Sequence, residues 1–571
     1  MPKKGKKEVP KTGTLFPVDK NGVRSTTHTG KQVLAAALRG AGAEYAAANV
    51  EKLGSKKWRF GYNKAYMSLV KESCKSPEAA LGSAKAGLEW MYDNFEHAKS
   101  EAEPPVKFSK MVKAEKRSFK TGVVKGKKKG SGEYEVPYDG GWAPSFPKPP
   151  TKSLSGPALK TVADTWVKKG VVEQDAAEAI GWTADYFSEG KDLSDCHFVL
   201  IGAGSAMGPF PKLLSHGANV VAIDIPGAWF KDSPRPASGL WDRLFKTAEE
   251  SSGTLTYPMN PDAPAGTPEN EAAGCDLTAE PARIANWLVQ WQKSLPKHAK
   301  VVVGNYTYLD SDLHVKLALC ADVCIDALIQ GAKADKRSPP TVAFLCTPTD
   351  IHVVPKPVSL AATRNGSFWH PGWLLFKVIR LLTFGAKLVP NGLKPVPTSK
   401  GKDPLYVCDG LSVAQGPNYV LAKRMQHWRA MIAYDGGATV SSMVAPSTAT
   451  LSVIHNKTFA WAYGGLPFFK FEIFKEDTTK AIMAAVMIRD VLDENSPKNP
   501  KNRPAGSNTL ELFKTESVHG GLWRSGYKLD TLGEISAFIY FAGGPKLFGA
   551  VIVLIYAAVA MCVYKAVMPF L

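Results

Sequence analysis

Cysteine is scarce in this sequence: its 571 residues contain eight, and no two of them form a C-x-x-C pair. Small secreted domains that depend on disulfides use cysteine far more densely, so a disulfide framework is excluded. Cys320 and Cys324 stand four residues apart in LALCADVCIDAL, but no histidine or further cysteine lies nearby at metal-ligand spacing. We therefore predict packed thiols, no metal site and a reducing compartment.

Acidic residues are in deficit, with 52 Asp and Glu against 71 Lys and Arg, for a formal net charge of +19. The imbalance is local, because residues 1–150 contain 29 basic and 15 acidic residues. Such a region suits anionic lipid headgroups, although a solvated face explains it equally well. Nucleic acid is disfavoured as a partner, because no aromatic–basic motif accompanies the lysines.

The chain also lacks an apolar stretch behind its first residues, MPKKGKKEVPKTG, so we expect no secretory leader. A long apolar run occurs instead at Leu547–Leu571, LFGAVIVLIYAAVAMCVYKAVMPFL. It is long enough to cross about 30 Å of hydrocarbon. This predicts a C-terminal transmembrane helix, with the bulk of the chain on the cytosolic side of the endoplasmic reticulum or another organelle. A buried core helix is the alternative, weakened because every side of the run is apolar.

Composition divides the chain into five segments. Residues 1–30 are predicted to be a disordered basic N-terminus, and Ala-rich amphipathic stretches predict a small helical unit in 31–105. Lys, Gly and Pro dominate 106–154, which is typical of a linker. The main domain is expected at 155–530, with an insertion at about 351–404, followed by the membrane anchor at 531–571.

From Cys196 onward, short apolar runs alternate with helix-length segments. Runs such as HFVLIG, ANVVAIDI, KVVVGN and TVAFLC are continuously apolar, like strands that are buried on both faces of a parallel sheet. The alternation predicts an α/β fold with a doubly wound parallel sheet of the Rossmann type. The basic helical region and the apolar tail are extensions of this domain.

The first strand–turn–helix unit, HFVLIGAGSAMGPFPKLLSHGANVVAIDIPG, predicts a dinucleotide site. Gly202 permits a tight turn, Gly204 and Ser205 leave room for a pyrophosphate, and Gly208 lets a helix pack close to the strand. The helix N-terminus would supply N–H groups to the phosphates. Asp224 ends the next strand, where its carboxylate can accept hydrogen bonds from a ribose. Because that charge repels a 2′-phosphate, NAD(H) is favoured over NADP(H).

Two later segments are further candidates for cofactor contacts. Asp276 and Leu277 in GCDLT could contact the adenine, whereas capping of the following helix by Asp276 or Thr278 explains the motif equally well. Gly304 and Asn305 end a further strand beside the expected cleft.

A tyrosine and a lysine stand four residues apart in QGPNYVLAKRMQHWRA, as Tyr419 and Lys423. Residues at i and i+4 share a helix face, so a phenol and an ammonium can act together. Such a pair is common by chance, and its placement after the glycine turn carries the argument.

With these elements in order, residues 195–527 resemble the short-chain dehydrogenase/reductase family. The resemblance implies that Tyr419 is the general acid/base, that Lys423 lowers its pKa and holds the ribose, and that Pro446 and Thr448 contact the nicotinamide amide. The chain departs from the family in its glycine spacing and in lacking the usual serine. Thr347, about seventy residues before the tyrosine, is our first choice for the missing hydroxyl.

These features predict a membrane-anchored NAD(P)-dependent oxidoreductase acting on a lipophilic alcohol or ketone, such as a lipid, sterol or isoprenoid. The alternative is a non-catalytic dinucleotide-binding or scaffold protein at a membrane, and a homo-oligomer is compatible with either. The segment Trp369–Val389 is expected in the bilayer interface, at a lipophilic entrance or in a buried helix. His427 and His519 are expected to be structural.

Overall fold

A computed structural model describes residues 12–130, 132–144, 149–230, 239–309, 311–367, 373–399 and 403–544, and in the C-terminal segment 549–550, 552–554, 556–557 and 560–561. The predicted membrane-spanning run 547–571 therefore lies mostly outside the described residues. Within the part of the chain that is described, no helix combines the length and the apolarity needed to cross a membrane.

The described strands are β1 Gly13–Leu15, β2 Glu96–Ala98, β3 Val106–Lys107, β4 Lys120–Lys125, β5 Val136–Pro137, β6 Ser153–Leu154, β7 Cys196–Ile201, β8 Asn219–Ile223, β9 Thr254–Met259, β10 Lys300–Asn305, β11 Thr341–Cys346, β12 Ile351–Val354, β13 Tyr406–Asp409 and β14 Val440–Val444.

The described α-helices are α1 Thr26–Gly40, α2 Glu44–Lys52, α3 Ser55–Cys74, α4 Pro77–Asn94, α5 Phe108–Ala114, α6 Gly156–Lys169, α7 Gln174–Ser188, α8 Phe210–Ser215, α9 Leu240–Glu249, α10 Glu269–Ala272, α11 Pro281–Ser294, α12 Asp312–Ala334, α13 Lys356–Asn365, α14 Trp373–Leu382, α15 Pro417–Asp435, α16 Leu451–Ile454, α17 Lys457–Gly465, α18 Glu476–Leu492 and α19 Gly533–Phe541.

Seven strands form the central sheet, in the order β14-β11-β10-β7-β8-β9-β4. All neighbouring pairs are parallel except β4 with β9 at one edge. The predicted α/β fold with a mostly parallel sheet is confirmed. The chain moves outward from β7 through β8 to β9 and then crosses to β10 on the other side of β7. In open α/β sheets, ligands bind at such a switch in strand order, at the carboxyl ends of the strands.

Alternate residues of the central strands face two separate cores, because side chains of a strand point to opposite faces. In β7, Val199 and Ile201 join the core formed with α11, α12 and α15. Phe198 and Leu200 join the core formed with α6, α7 and α18. Helices therefore cover both faces of the sheet, which explains why the strands read as continuous apolar runs.

The N-terminal region is more tightly integrated than predicted. Residues 12–30 were expected to be disordered, but the Thr14 N–H donates to the Thr278 carbonyl at 2.9 Å, and Leu15 is buried. The helices in 31–105 are not an independent unit, because they share one core with α15. A Cβ at Gly87 would lie 2.5 Å from the Trp428 ring, so α4 crosses α15 at very close range.

The segment 106–154, which was expected to be a linker, supplies the edge strand β4. Pairing of an edge strand depends on backbone hydrogen bonds, so a Lys- and Gly-rich sequence can form one with little apolar burial. Gly122 is required there, because a Cβ would lie 2.3 Å from the Tyr257 ring of β9. Farther along, Tyr134 and Trp142 are buried.

The predicted insertion at 351–404 is folded onto the main domain. Its first strand, β12, pairs antiparallel with β13, and α13 and α14 lie between them in the chain. Of the segment predicted to be interfacial or buried, Trp369–Val389, residues 369–372 lie outside the described part. The remainder forms α14, whose Phe376 is buried while Leu381 and Leu382 are exposed.

Candidate functional site

The glycine turn lies at the switch point of the sheet, directly after β7. Gly202 has φ +85°, a left-handed conformation that glycine adopts without strain. A Cβ at this position would come within 3.0 Å of the Thr307 nitrogen. The Gly202 N–H also donates to the Ile223 carbonyl at 2.8 Å. Gly202 is therefore required by backbone conformation and by close approach of the segment that follows β10.

Asp224 follows β8 and faces this turn. Its carboxylate accepts hydrogen bonds from the Gly204 N–H at 2.7 Å and from the Ile225 N–H at 2.9 Å. Burial raises the pKa of Asp224, while these bonds and the nearby Arg243 guanidinium act against the rise. Each carboxylate oxygen can accept more than one hydrogen bond, so Asp224 retains capacity for a ribose hydroxyl.

The space over Gly204 is partly occupied by a side chain. A Cβ at Gly204 would lie 2.5 Å from Leu240 Cδ1 and 3.8 Å from the nearer Arg243 nitrogen. Leu240 touches this space only with a terminal methyl group of a flexible side chain. A pyrophosphate that crossed Gly204 would require Leu240 to rotate away, and it would then lie beside the Arg243 guanidinium.

The helix after the turn is shorter and begins later than the motif predicted. The turn is closed by the Gly208 N–H, which donates to the Ser205 carbonyl at 3.1 Å, and α8 begins only at Phe210. A Cβ at Gly208 would meet only atoms of the turn itself, at 3.4 Å or more, so Gly208 does not serve helix–strand packing. Pro209 and Pro211 lack N–H groups, which reduces the donors available to an anion.

Asp276 organises a local turn. Its Oδ1 accepts from the Thr278 N–H at 2.9 Å, the Thr278 hydroxyl at 2.8 Å and the Ala279 N–H at 3.2 Å. These bonds hold the turn that precedes α11. They do not cap the helix, whose N-cap residue is Glu280, so the capping alternative is wrong. Leu277 is buried in the core shared with the N-terminal helices, and β1 covers the turn by bonding Thr278.

Gly304 and Asn305 shape the segment after β10. A Cβ at Gly304 would lie 2.4 Å from the Tyr306 ring, so this glycine makes room for a neighbouring side chain. Asn305 is buried, and its side-chain oxygen accepts from the Thr307 N–H at 3.1 Å and the Thr307 hydroxyl at 2.8 Å. These contacts fix the backbone that approaches Gly202.

The same segment joins the glycine turn to Tyr419. Thr307 lies against Gly202, and the next residue, Tyr308, places its ring 6.2 Å from the Tyr419 ring. His314 of α12 packs against Tyr419 at 5.4 Å. Gly202 and Tyr419 therefore lie at the same end of the sheet, separated by two consecutive residues of one loop.

Thr347, the hydroxyl chosen from sequence, is brought next to Tyr419. Its hydroxyl is near enough to the phenol to lower the pKa of Tyr419, and it lies 2.7 Å from the Thr349 hydroxyl. The Thr349 hydroxyl in turn donates to the Gln415 side-chain oxygen at 2.8 Å. A chain of polar side chains thus connects the end of β11 with the start of α15.

Lys423 shares a helix face with Tyr419 but has other partners. Its Nζ donates to the Leu345 carbonyl at 3.2 Å and to the Gln426 side-chain oxygen at 3.3 Å. Burial lowers the pKa of Lys423 to about 8. Burial also raises the pKa of Tyr419, and the nearby Thr347 hydroxyl acts against that rise. The predicted activation of the phenol by this lysine is not the arrangement found.

Pro446 and Thr448 follow β14 in a compact turn. The Thr448 hydroxyl donates to the Pro446 carbonyl at 3.0 Å and lies 2.9 Å from the Thr479 hydroxyl of α18. Thr448 is buried. Its hydroxyl is therefore occupied by protein partners.

Sequence reasoning missed a buried ion pair beneath the Tyr419 helix. The Arg424 guanidinium donates to Asp350 Oδ1 at 2.6 Å, and both side chains are almost wholly inaccessible to solvent. Asp350 comes three residues after Thr347, so the pair fixes α15 to the end of β11. The residues are 74 positions apart, and no local pattern could have paired them.

The remaining sequence candidates have structural contacts. His427 is buried and stacks on Phe513 at 4.4 Å. His519 is buried with Nε2 2.9 Å from Glu173. Both Cys320 and Cys324 are buried, and burial raises the pKa of Cys320 to about 12. Among the described residues, no group of three or more His, Cys, Asp and Glu could hold a metal ion.

No protein-family model matches this chain, and no curated protein matches it either.

Proposed function

We propose that this protein is an NAD(H)-dependent oxidoreductase of the short-chain dehydrogenase type, acting on a lipophilic alcohol or ketone. The observation that supports the proposal is that two halves of the candidate site lie at the same edge of the sheet. The nucleotide half consists of the Gly202–Gly208 turn and Asp224, and the tyrosine half consists of Thr347, Tyr419 and Lys423. Thr307 and Tyr308 connect them.

The residues fit a nicotinamide dinucleotide, provided that Leu240 rotates. Asp224 has acceptor capacity for the adenosine ribose, and Gly202 and Gly204 carry no side chain at the crevice. A bound dinucleotide would supply the hydride, which leaves the protein one proton to handle. Arg243 beside Gly204 provides a cation that could also receive a 2′-phosphate, so it bears on the choice between NAD(H) and NADP(H).

Tyr419 is the residue that handles this proton. Because burial raises its pKa, the phenol stays protonated at neutral pH and is suited to donate to a developing alkoxide. The Thr347 hydroxyl lies beside the phenol and would help to position it. Lys423 is available to a ribose hydroxyl if its contact with Gln426 is exchanged. These protonation states favour reduction of a ketone over oxidation of an alcohol.

The test is the Tyr419→Phe variant, assayed for NADH oxidation with medium-chain methyl ketones. Removal of a general acid costs about 10²- to 10⁴-fold in rate. We expect a loss of that size in kcat with an unchanged Kd for NADH. Thr347→Val should raise the apparent pKa on the alkaline limb of the pH–rate profile, where the phenol loses its proton, and should lower kcat. Thr347→Ser should restore both.

The second candidate is a non-catalytic dinucleotide-binding protein. It is favoured by the hydrogen bonds that occupy Thr448 and Lys423. It predicts saturable NADH binding without any turnover that depends on Tyr419, so equal residual rates for wild type and Tyr419→Phe would select it. Failure of both proteins to bind NADH or NADPH would contradict both candidates.

A further inference from the structure

Exposed apolar side chains lie on three neighbouring segments: α14 with the turn after it, α19, and the described residues of the C-terminal segment, 549–550, 552–554, 556–557 and 560–561. Leu381, Leu382 and Phe384 are 76%, 72% and 99% exposed. We call this surface the apolar platform. Its other exposed members are Leu374, Val378, Phe538, Phe541, Val553, Leu554 and Met561. Soluble monomers rarely expose so many large apolar side chains together, and such patches mark interaction sites.

The three segments are bonded to one another and to the core. The Leu374 N–H donates to the Tyr556 hydroxyl at 2.9 Å, which joins α14 to the C-terminal segment. Lys387 forms a 2.6 Å ion pair with Glu534, which joins the turn after α14 to α19. On its inner side, Phe376 is buried and stacks on Phe469 at 5.5 Å. The platform is thus the outer face of packed helices.

The segment that carries α14 is basic. Residues 373–399 contain four basic side chains and no Asp or Glu. Glu534 is the single acidic residue in 533–571, and it is paired with Lys387. A second copy of this chain would bring two such basic segments together, which is unfavourable. A surface of negative headgroups is complementary to it, because basic side chains near a membrane are attracted to anionic lipid.

We propose that the apolar platform docks onto one leaflet of a bilayer that contains anionic lipid. Leu381, Leu382 and Phe384 enter the boundary between headgroups and acyl chains, and Lys377 and Arg380 of α14 reach the lipid phosphates. An amphipathic helix with a basic polar face binds membranes in this way, without crossing them. Docking does not depend on the proposed chemistry, and it requires no membrane-spanning segment.

The platform also adjoins the candidate site. Helix α17 packs against α19 so closely that a Cβ at Gly465 would lie 1.8 Å from the Ser536 carbonyl oxygen. Two residues earlier on α17, Tyr463 is near enough to Tyr419 to influence its pKa.

The test uses the full chain with a local probe. Leu382→Cys is labelled with bimane and mixed with phosphatidylcholine vesicles containing about one third phosphatidylserine and brominated acyl chains. We expect a blue shift and at least two-fold quenching. Phe60→Cys, on the exposed face of α3 and 71% exposed, is the matched control and should show neither. The parent protein, taken through the same labelling reaction, reports the background from its native cysteines.

The local readout separates platform docking from any insertion of the C-terminal run 547–571. The proposal is overturned if the protein floats with the vesicles while the probe at position 382 stays unquenched. Equal quenching at positions 382 and 60 also overturns it. Lys377→Glu/Arg380→Glu should require at least ten-fold more anionic vesicle for half-maximal quenching. The control variant Lys56→Glu/Lys57→Glu on α3 should leave the vesicle concentration for half-maximal quenching unchanged. An equal effect of the two double variants would contradict the proposed role of α14. NADH binding, measured separately, reports on the proposed function alone.

Discussion

The nucleotide half and the tyrosine half of the candidate site are built by different kinds of interaction. In the nucleotide half, backbone groups dominate: Gly202 has a left-handed φ, and Asp224 accepts two backbone N–H groups. In the tyrosine half, side chains from separate elements lie together. Thr347 follows β11, and the neighbouring Tyr419 belongs to α15. A backbone site can be recognised from a short sequence motif, whereas a side-chain site depends on the tertiary fold.

The largest effect on the free energy of unfolding is expected from breaking the ion pair between Asp350 and Arg424, which supports the tyrosine half. Asp350→Asn or Arg424→Met each leaves a buried charge without its partner, which costs about 3–5 kcal/mol of unfolding free energy. The double variant Asp350→Asn/Arg424→Met should recover part of that loss. Urea unfolding measures all three. Additive losses in the double variant would show that the 2.6 Å contact contributes no coupling.

The two halves should also differ in how stability depends on pH. The folded-state pKa of Lys423 is lowered to about 8 from 10.5, so between these values the unfolded chain binds more protons. The contribution of Lys423 to the free energy of unfolding therefore rises from pH 8 to 10.5, by about 1–3 kcal/mol. The raised pKa of Asp224 has the opposite sign and acts above pH 3.8, where stability falls as pH rises.

Urea titrations at pH 7.5 and 10 of wild type and Lys423→Met measure this difference. We expect the variant to lack the increase, while Asp224→Asn retains it. An equal increase in wild type and Lys423→Met would show that the ammonium is as well solvated in the folded chain as in the unfolded one.

The last of these stability effects concerns the nucleotide half. Gly202→Ala forces an alanine into a left-handed conformation against the Thr307 backbone, which costs about 1–3 kcal/mol. Gly190→Ala is the matched control, because Gly190 has φ +75° but no atom within 4 Å of a Cβ. We expect NADH affinity to fall at least ten-fold for Gly202→Ala and to stay unchanged for Gly190→Ala. Equal NADH affinities of the two variants would show that the close approach of the Thr307 backbone to Gly202 does not matter for dinucleotide binding.

Sequence patterns predicted the central sheet because its strands are continuously apolar and alternate with helices. They failed for β4, whose residues, KTGVVK, pair through the backbone with little apolar burial. They also failed for residues 12–30, because the contact of Thr14 with Thr278 joins positions 264 apart. The order of the strands and the packing of α4 on α15 depend on tertiary contacts that local periodicity does not contain.

Within the candidate site, the sequence predicted which residues lie together better than it predicted what they do. Gly208 closes its own turn, and Asp276 holds the turn before α11, because short polar and glycine motifs serve turns as readily as ligands. Lys423 lies on the predicted face of α15, yet its ammonium donates to the Leu345 carbonyl of β11. Helix periodicity gives a direction for a side chain, and the neighbouring element determines its partner.

The central claim, that the crevice above Gly202 receives a dinucleotide, is tested most directly by titrating the full-length protein with NADH and NADPH. Energy transfer from tryptophan to the reduced nicotinamide reports binding. The account predicts saturable binding of NADH, weaker binding of NADPH because of Asp224, and loss of both in Gly202→Val. Absence of saturable binding by either dinucleotide, in protein with intact far-ultraviolet circular dichroism, would contradict it.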